Sequence, residues 1–462
     1  MALLRLGFLA NFLSHPVVSG FISASGILIA VGQLKHLLGV SASGESLRQI
    51  LPQLWQSLPM MHWPTLLIGL LSLAWLWWAR ARLKTLLQRL GLSAPMAGNL
   101  AKAGPVLAIV VAIVAVSLLQ LDQVGVKVVG AIPQGLPGLT LPTLDLSLAL
   151  QLLPAALLIS LVGFVESVSV GQTLAAKRRQ RIEPDNELLG LGAANLSSAF
   201  SGGFPVTGGF ARSVVNHDAG AQTPMAGVFT AAGIALSVML LTPLLHNLPQ
   251  AVLAATIIVA VLSLVDLGSL RRTWRYSRQD GAAQLATILG VLLIGVEAGI
   301  LLGVGLSLLL FLWRTSQPHM AVVGQVPGSE HFRNVERFAV IESPSVLSLR
   351  VDESLYFPNA RYLEERIGEL IASRPQVRHL VLMCSGVNLI DASALDSLEA
   401  IVERLRTAGV QLHLSEVKGP VMDQLRRSSF LDDFGGQVFI SQFQALKTLA
   451  PQAAQQPLEP RP

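Results

Sequence analysis

The sequence predicts an α-helical polytopic membrane protein that carries a small α/β domain at its C-terminal end. Hydrophobic residues make up 52% of the 462 residues and charged residues only 13%, which is more apolar than a soluble domain requires for its core. Long apolar stretches recur up to about residue 314. Beyond about residue 319 charged residues become frequent and the long apolar stretches end.

Apolar stretches near 20 residues in length predict helices that can cross the hydrocarbon layer of a membrane. We expect about ten membrane segments in total. Eight are clear, at residues 14–34, 64–80, 103–121, 152–175, 223–243, 248–266, 281–296 and 298–313. Two weaker segments lie at 186–200 and 206–217, and the second is too short to cross alone. The residues before it, 201–205, should be extended because they end in a proline.

Basic residues cluster in the loops after the segments at 64–80, 152–175, 248–266 and 298–313. The intervening loops, at about 40–63, 122–150 and 244–248, contain only two basic residues, Arg48 and Lys127. All the basic loops fall on one side of the membrane if each weaker segment counts as one pass. The positive-inside rule makes that side cytoplasmic. We therefore expect a multi-pass protein of the cytoplasmic membrane with its C-terminal domain in the cytoplasm.

Charge and motifs exclude several function classes. Membrane topology explains the net charge of +5 better than nucleic-acid binding does, because the basic residues lie beside apolar segments. The single cysteine, Cys384, cannot form an intrachain disulfide. The sequence lacks a P-loop, a His-Glu-x-x-His motif, a Cys/His cluster and a Gly-x-Ser-x-Gly motif. We predict no enzymatic activity, no metal site and no nucleic-acid partner.

Residues 163–172 place a carboxylate and several small polar residues inside an apolar segment. An ionisable side chain at membrane depth costs at least about 2.5–3.5 kcal/mol, so it normally faces a cavity, a partner or an ion. Glu166 and Ser167 are therefore predicted to contribute to a substrate site. The alternative is a carboxylate that bonds to a neighbouring helix or stays hydrated near the interface.

Residues 202–213 form the second unusual stretch, which predicts extended chain, a proline and then a short helix opened by Thr207, Gly208 and Gly209. The free N–H groups at the start of a broken helix attract anions, and glycines allow the anion to approach the backbone. Arg212 adds a full positive charge. We predict that these four residues bind an anion. The alternative is a loop that re-enters the membrane for packing alone, with Arg212 reaching the cytoplasm.

Beyond residue 319 short strands alternate with amphipathic helices, which is typical of a small α/β domain with a mainly parallel or mixed sheet. The strands are predicted at 338–341, 346–351, 379–383, 411–415 and 437–440. The helices are predicted at 359–373, 392–408 and 420–428.

Residues 388–395 mark a strand-to-helix turn in this domain. Asp391 can cap the helix, and Ser393 lies within its first turn. One interpretation is plain capping. The other is a regulatory site, because a phosphate on Ser393 would be favoured at the helix N-terminus.

These stretches together resemble the SulP family of anion transporters, which joins a membrane part to a cytoplasmic STAS domain. Residues 6–21 look like the entry to the family's fifth membrane helix. Residues 166–172 and 202–216 look like its eighth and tenth helices, and 391–395 look like the STAS signature. The resemblance implies fourteen segments in two inverted repeats of seven, with the anion between the third and tenth half-helices.

The resemblance also implies a function for each part of the chain. We expect a transporter domain over 1–317, a STAS domain over 318–450 and a disordered tail over 451–462. The implied activity is secondary active transport of a small inorganic anion, sulfate first, with Glu166 linked to proton or sodium coupling. No other cofactor is expected. Ser393 matches the serine that is phosphorylated in stand-alone STAS proteins, although Ala394 replaces the usual glycine.

The implied partners are the lipid bilayer, a second copy of the chain and a cytoplasmic protein that binds the STAS domain. Met1 falls just before the fifth family helix, so the first four helices have no counterpart in this resemblance. We expect either a true start upstream or a truncated product, and favour the first. Bicarbonate or dicarboxylate transport on the same scaffold is an alternative, as is a truncated, non-transporting STAS-bearing membrane scaffold.

Overall fold

The computed structural model describes residues 2–7, 14–209, 212–213, 216–217 and 220–453. The chain divides into two compact units, Met1–Leu308 and Leu309–Pro462.

All the regular elements among the described residues of the first unit are helices. Its main helices in chain order are α1 (His15–Leu38), α2 (Leu47–Ser57), α3 (Trp63–Trp78), α4 (Lys84–Arg89), α5 (Ala94–Lys102), α6 (Gly104–Leu119), α7 (Leu146–Lys177), α8 (Pro184–Phe200), α9 (Met225–Leu240), α10 (Gln250–Leu262), α11 (Leu267–Tyr276), α12 (Arg278–Leu293) and α13 (Val296–Ser316). A π-helical turn, Ala79–Leu83, joins α3 to α4, and α13 continues into the second unit.

Among the described residues, five helical stretches are long and apolar enough to cross a membrane. They are His15–Leu38, Trp63–Arg89, Leu146–Val168, Gln250–Tyr276 and Val296–Ser316. The pair α5 and α6, bent by 45° at their junction, is a sixth candidate.

The eight clear segments predicted from the sequence all contain a helix, but α9 and α12 have only 16 residues each. At about 1.5 Å per residue such a helix is shorter than the hydrocarbon layer. The predicted number of about ten segments therefore exceeds the five or six helices that are long enough to cross. Apolar runs continue past helix ends, for example into the 3₁₀ turn Thr242–Leu245.

The weaker segment at 186–200 corresponds to α8, which ends at Phe200 and is followed by a turn at 201–202. The φ angle of Gly202 is 67°, a left-handed conformation that glycine adopts at little cost. The Gly203 N–H then donates to Ser198 O at 2.8 Å, and residues 203–209 continue without helix. The predicted helix start at Thr207 is therefore wrong, because helix is assigned only at 212–213 and 216–217. Residues 210–211 and 214–215 lie outside the described residues.

Helix α1 lies at the centre of the first unit and packs against α3, α10 and α12. One buried cluster joins Ala24 and Leu28 of α1 to Ile288 and Val291 of α12. Many large apolar side chains on other helices are exposed, including Leu67, Trp77 and Val110. Side chains of this kind are suited to lipid rather than to water.

The second unit is built on a six-stranded sheet with the strand order β2-β1-β3-β4-β5-β6. The strands are β1 (Met320–Gln325), β2 (Phe332–Asn334), β3 (Val346–Val351), β4 (His379–Met383), β5 (Gln411–Ser415) and β6 (Val438–Phe439). Strands β3 to β6 are parallel, and β1 is antiparallel to both of its neighbours. The helices are α14 (Phe357–Ala372), α15 (Ala392–Thr407), α16 (Gly419–Leu425), α17 (Phe430–Asp433) and α18 (Gln442–Leu449).

The mixed sheet is the one predicted, and β3, β4 and β5 have the predicted bounds. The strand predicted at 338–341 is wrong, since Ile341 forms only an isolated bridge with Gln325. Strands β1 and β2 were not predicted, because β1 follows almost directly on the apolar helix α13. Helices α17 and α18 were also missed.

Apolar side chains cover both faces of the sheet. Leu349 and Leu382 pack with Leu363 of α14 and Leu398 of α15 on one face. Val323, Val381, Phe439 and Leu446 form a smaller cluster on the other. The second unit therefore has a hydrophobic core of its own. Of the predicted tail, residues 451–453 form a turn with Ala453 buried, and 454–462 lie outside the described residues.

Candidate functional site

Helix α7 holds residues 203–209, which have no regular secondary structure, through two positions one turn apart, Gly163 and Ser167. Gly163 O accepts hydrogen bonds from Ser167 Oγ at 2.7 Å and from Thr207 Oγ1 at 2.8 Å. The Gly208 N–H donates to Ser167 Oγ at 2.9 Å. Ser167 is buried, with 8% of its surface exposed. The structure thus brings together three predicted site residues, Ser167, Thr207 and Gly208.

The contact between Ser167 and residue 208 leaves no room for a side chain at position 208, so it requires a glycine there. A Cβ atom on it would lie 2.7 Å from Ser167 Oγ and 3.2 Å from Ser167 Cβ. Any side chain there would push residues 203–209 away from α7, because a carbon atom cannot approach that closely. Glycine at this position therefore has a packing reason as well as the predicted role in anion approach.

Helix α8 holds the same residues from a second direction. Asn195 Nδ2 donates to Val206 O at 2.9 Å, and the Val206 N–H donates to Asn195 Oδ1 at 3.0 Å. Ser198 Oγ donates to Phe204 O at 2.8 Å. Sequence reasoning missed Asn195, although an amide inside an apolar stretch is a signal that could have found it.

Gly209 and Arg212 lie beyond the contact with α7. A Cβ on Gly209 would be 3.7 Å from Arg212 Nε and 3.8 Å from Arg212 Nη2, so the guanidinium group lies beside the Gly209 backbone. The Arg212 residue is exposed. The Gly208 N–H is already bonded to Ser167 Oγ, so it is not free to donate to an anion.

Glu166 faces a different neighbour from Ser167, because adjacent residues on a helix point about 100° apart. With Val162, one turn earlier, it lines a cavity of about 240 Å³ whose other walls come from α1, α10, α13 and residue Leu264. No hydrogen bond or ion pair joins Glu166 to another described residue. The structure therefore places Glu166 and the Ser167–Thr207–Gly208 contact on adjacent faces of α7.

A larger cavity of about 760 Å³ lies beside α7 and α8. Its walls are mainly apolar, and they include Gly163, Asn195 and Thr207. Asn195 and Thr207, which hold residues 203–209 in place, therefore both face this space.

Asp391 in the second unit joins two helices. Its Oδ1 accepts from the Ala394 N–H of α15 at 2.8 Å, and its Oδ2 accepts from the Phe357 N–H of α14 at 2.9 Å. Asp391 thus caps α15, as one of the two interpretations requires. Ser393 is exposed in the first turn of α15, so its hydroxyl is accessible.

Comparison with known proteins identifies both units. Residues 1–287 match the sulfate permease family, and residues 337–445 match the STAS domain. The chain is 32% identical to "Probable sulfate transporter 4.2" of Arabidopsis thaliana over 95% of its own length. It is 30% identical to a probable sulfate transporter of Mycobacterium tuberculosis over 93% of its length. It spans 65% of the plant protein and 74% of the mycobacterial one.

A solved structure shows the same fold. The chain superposes on the murine solute carrier 26 family member A9 anion transporter with a TM-score of 0.85, at 21% identity, covering 98% of this chain and 73% of the other. The polytopic helical fold with a C-terminal STAS domain is confirmed. The relatives are transporters, which also confirms that the chain is not an enzyme. This chain is a multi-pass membrane protein that belongs to the sulfate permease family and carries a C-terminal STAS domain.

Proposed function

We propose that the protein carries out secondary active transport of a small inorganic anion, with sulfate as the first candidate, across the cytoplasmic membrane. The observation that carries this proposal is the non-helical stretch 203–209, which α7 and α8 hold in place and which ends beside Arg212. The names of the relatives support sulfate as the substrate.

Anion binding would use Arg212 and the backbone of Gly209, with Ser167, Thr207 and Gly208 keeping this stretch in position. A single charge-assisted hydrogen bond contributes about 1.5–3 kcal/mol. Arg212→Ala should therefore weaken sulfate binding roughly ten- to a hundred-fold. Arg212→Lys keeps the charge but loses the planar fork, and should be intermediate.

Coupling to a proton or a sodium ion would use Glu166. An unpartnered carboxylate in an apolar helix is unfavourable unless a cation or a proton compensates it. The cavity beside Glu166 has room for either. Glu166 and the contact of Ser167 with Thr207 and Gly208 lie on adjacent faces of one helix. A movement of α7 would therefore displace both.

The proposal includes a homodimer in the bilayer, a cytoplasmic STAS domain and a protein partner for that domain. Asp391 and Ser393 would form the regulatory site of the STAS domain. The side of the membrane is tested by a reporter fused after Ala450. The fusion should be active as a cytoplasmic reporter, and strong activity of a periplasmic reporter there would contradict the orientation.

Transport itself is tested by uptake of labelled sulfate into liposomes that contain the purified chain, with imposed proton or sodium gradients. Sulfate uptake that depends on a gradient, and that Arg212→Ala reduces, is the expected result. Stronger competition by bicarbonate or a dicarboxylate than by unlabelled sulfate would reassign the substrate. Absence of uptake of all three anions, with folded protein present, would favour the non-transporting scaffold.

A further inference from the structure

Two helical stretches in the first unit are longer than a membrane crossing requires. Trp63–Arg89 and Gln250–Tyr276 contain 27 residues each. At about 1.5 Å per residue each is about 40 Å long, whereas the hydrocarbon layer is about 30 Å thick. Roughly two turns of each stretch therefore extend beyond the hydrocarbon. These are the C-terminal turns, because they carry the basic side chains, which hydrocarbon excludes.

The two stretches run side by side in the same direction. Helices α3 and α10 pack against each other. A Cβ atom on Gly69 of α3 would lie 3.6 Å from Ala251 Cβ, near the start of α10. Further along both stretches, Arg80 Nη1 donates to Val259 O at 3.2 Å. The basic C-terminal ends of the two stretches therefore lie on the same side of the membrane.

Two basic side chains at these ends are used within the protein. Val259 lies in the last turn of α10, where carbonyl groups lack helical partners, and Arg80 supplies a donor to its carbonyl. Arg272 Nη2 pairs with Asp266 Oδ2 at 2.6 Å. Arg80 and Arg272 therefore have a structural role at the ends of the helices.

Five further basic residues at the same ends, here called the basic rim, are exposed and make no hydrogen bond or ion pair with another described residue. They are Arg82, Lys84, Arg89, Arg271 and Arg275. No aspartate or glutamate occurs between residues 46 and 121, so the members of the first stretch have no acidic neighbour along the chain. On the second stretch the one acidic residue is Asp266, which Arg272 already uses. Positive charge without a counter-charge in the protein attracts an anionic ligand from outside.

Exposed aromatic side chains lie beside the basic rim. Trp77 and Trp78 come shortly before its first member, and Trp274 and Tyr276 flank Arg275. Trp and Tyr concentrate where hydrocarbon meets the lipid headgroups. A soluble anion does not need exposed tryptophans beside its site, whereas a phospholipid presents a phosphate and an acyl chain together. The combination therefore favours a lipid as the ligand.

We propose that the basic rim binds the phosphate groups of anionic phospholipids in the leaflet that it faces. Guanidinium groups bind phosphate oxygens in a bidentate manner, and Lys84 adds a point charge. Clusters of basic residues immediately outside a membrane helix are typical of such recognition. Bound lipid would anchor the C-terminal ends of both long stretches, and this binding does not depend on transport.

The test is thermal unfolding of the purified full chain in an uncharged detergent, titrated with a short-chain phosphatidylglycerol. The parent should be stabilised, more weakly at high salt, and phosphatidylcholine of the same chain length should have much less effect. One basic residue near an anionic membrane surface strengthens binding roughly fivefold. Arg82→Gln and Arg275→Gln should therefore each raise the phosphatidylglycerol concentration at half-effect about fivefold. Arg82→Lys retains the charge and should raise it less.

Lys127→Gln is the matched control. The Gln250 N–H donates to Lys127 O at 3.0 Å, which places this exposed lysine at the opposite end of α10. Its removal should leave the phosphatidylglycerol response unchanged. Inorganic phosphate, titrated in the same way, distinguishes a headgroup site from a site for a soluble anion.

Three results would overturn the proposal. The first is a loss of response in Lys127→Gln as large as that in Arg82→Gln, which would mean attraction to charge in general. The second is a parental response in both Arg82→Gln and Arg275→Gln. The third is stabilisation by inorganic phosphate that Arg82→Gln weakens as much as it weakens the effect of phosphatidylglycerol.

Discussion

In the second unit the Gln442 side chain is fully buried and both ends of its amide are bonded, whereas in the first unit the Glu166 carboxylate has no partner among the described residues. Gln442 Nε2 donates to Ser348 Oγ at 2.6 Å, and Ser415 Oγ donates to Gln442 Oε1. Both carboxylate oxygens of Asp391 are also used. Around Glu166, in contrast, apolar groups make up most of the cavity wall.

Buried polar side chains therefore have different roles in the two units. In the STAS domain, Gln442 joins β3 and β5 to α18, so its hydrogen bonds determine how that helix meets the sheet. In the membrane unit, leaving a carboxylate unpaired carries a cost that packing does not offset. Polar groups of the first kind should matter for stability, and those of the second kind for transport.

The largest effect is expected at the last two glycines of residues 203–209. Gly208→Val and Gly209→Val should both abolish sulfate binding, for different reasons. The first forces the chain off Ser167, so it should also lower the melting temperature. Among the described residues, a Cβ at Gly209 meets only the Arg212 side chain, at 3.7 Å, so Gly209→Val should block the anion and leave the fold intact. Sulfate titration and thermal unfolding of the purified variants separate the two. Binding at the parental affinity in both would remove this stretch from the anion site.

Glu166→Gln should abolish or uncouple transport with little loss of folded protein. The substitution keeps the shape and removes the charge, which the surrounding apolar residues do not need for packing. Uptake of labelled sulfate is measured with and without proton and sodium gradients, with Ser19→Ala as a control on a neighbouring helix. Parental uptake with unchanged dependence on pH and sodium would show that Glu166 is not the coupling group.

Gln442→Leu should destabilise the second unit by roughly 2–4 kcal/mol, because it leaves the buried Ser348 and Ser415 hydroxyls unpaired. The triple variant Ser348→Ala, Ser415→Ala and Gln442→Leu removes all three polar groups and should recover most of that loss. Urea unfolding of the second unit expressed alone measures both. A triple variant no more stable than the single one would mean that packing, not pairing, explains the cost.

The smallest effect should come from acid. Burial, and to a lesser extent the charge of His379, lowers the pKa of His413 from 6.5 to about 4. Its Nδ1 accepts from the Gln437 N–H at 3.1 Å, and its Nε2 lies 3.1 Å from His379 Nδ1. Below pH 6.5 the unfolded chain binds a proton that the folded domain excludes until about pH 4. The second unit should therefore lose roughly 2–3 kcal/mol of stability between these two pH values.

His413→Asn removes the titrating ring and leaves an oxygen that can accept from Gln437. This variant should be less stable at neutral pH but should show a smaller loss between pH 6.5 and pH 4. His331→Gln, at an exposed position of the same unit, is the matched control and should keep the parental slope. A parental slope in His413→Asn would assign the acid sensitivity to other groups.

Several features followed from the sequence alone because their cause is local. Apolar runs near 20 residues form helices wherever they cross lipid, since the backbone must satisfy its own hydrogen bonds there. Strands β3, β4 and β5 were predicted with their observed bounds, because buried parallel strands are short apolar runs between turns. Asp391 was predicted as a cap from the turn that precedes α15.

Other features were decided by tertiary contacts between residues far apart in the chain. The pattern after Pro205 predicts a helix from Thr207, but residues 203–209 form no helix, and Ser167 and Asn195 hydrogen-bond to them. Glu166 and Ser167 are neighbours in the sequence, yet only the positions of α1 and α8 determine that one faces a cavity and the other a backbone. Sequence patterns report what a residue prefers locally, whereas a site forms where distant helices leave polar groups to be satisfied by one another or by a guest.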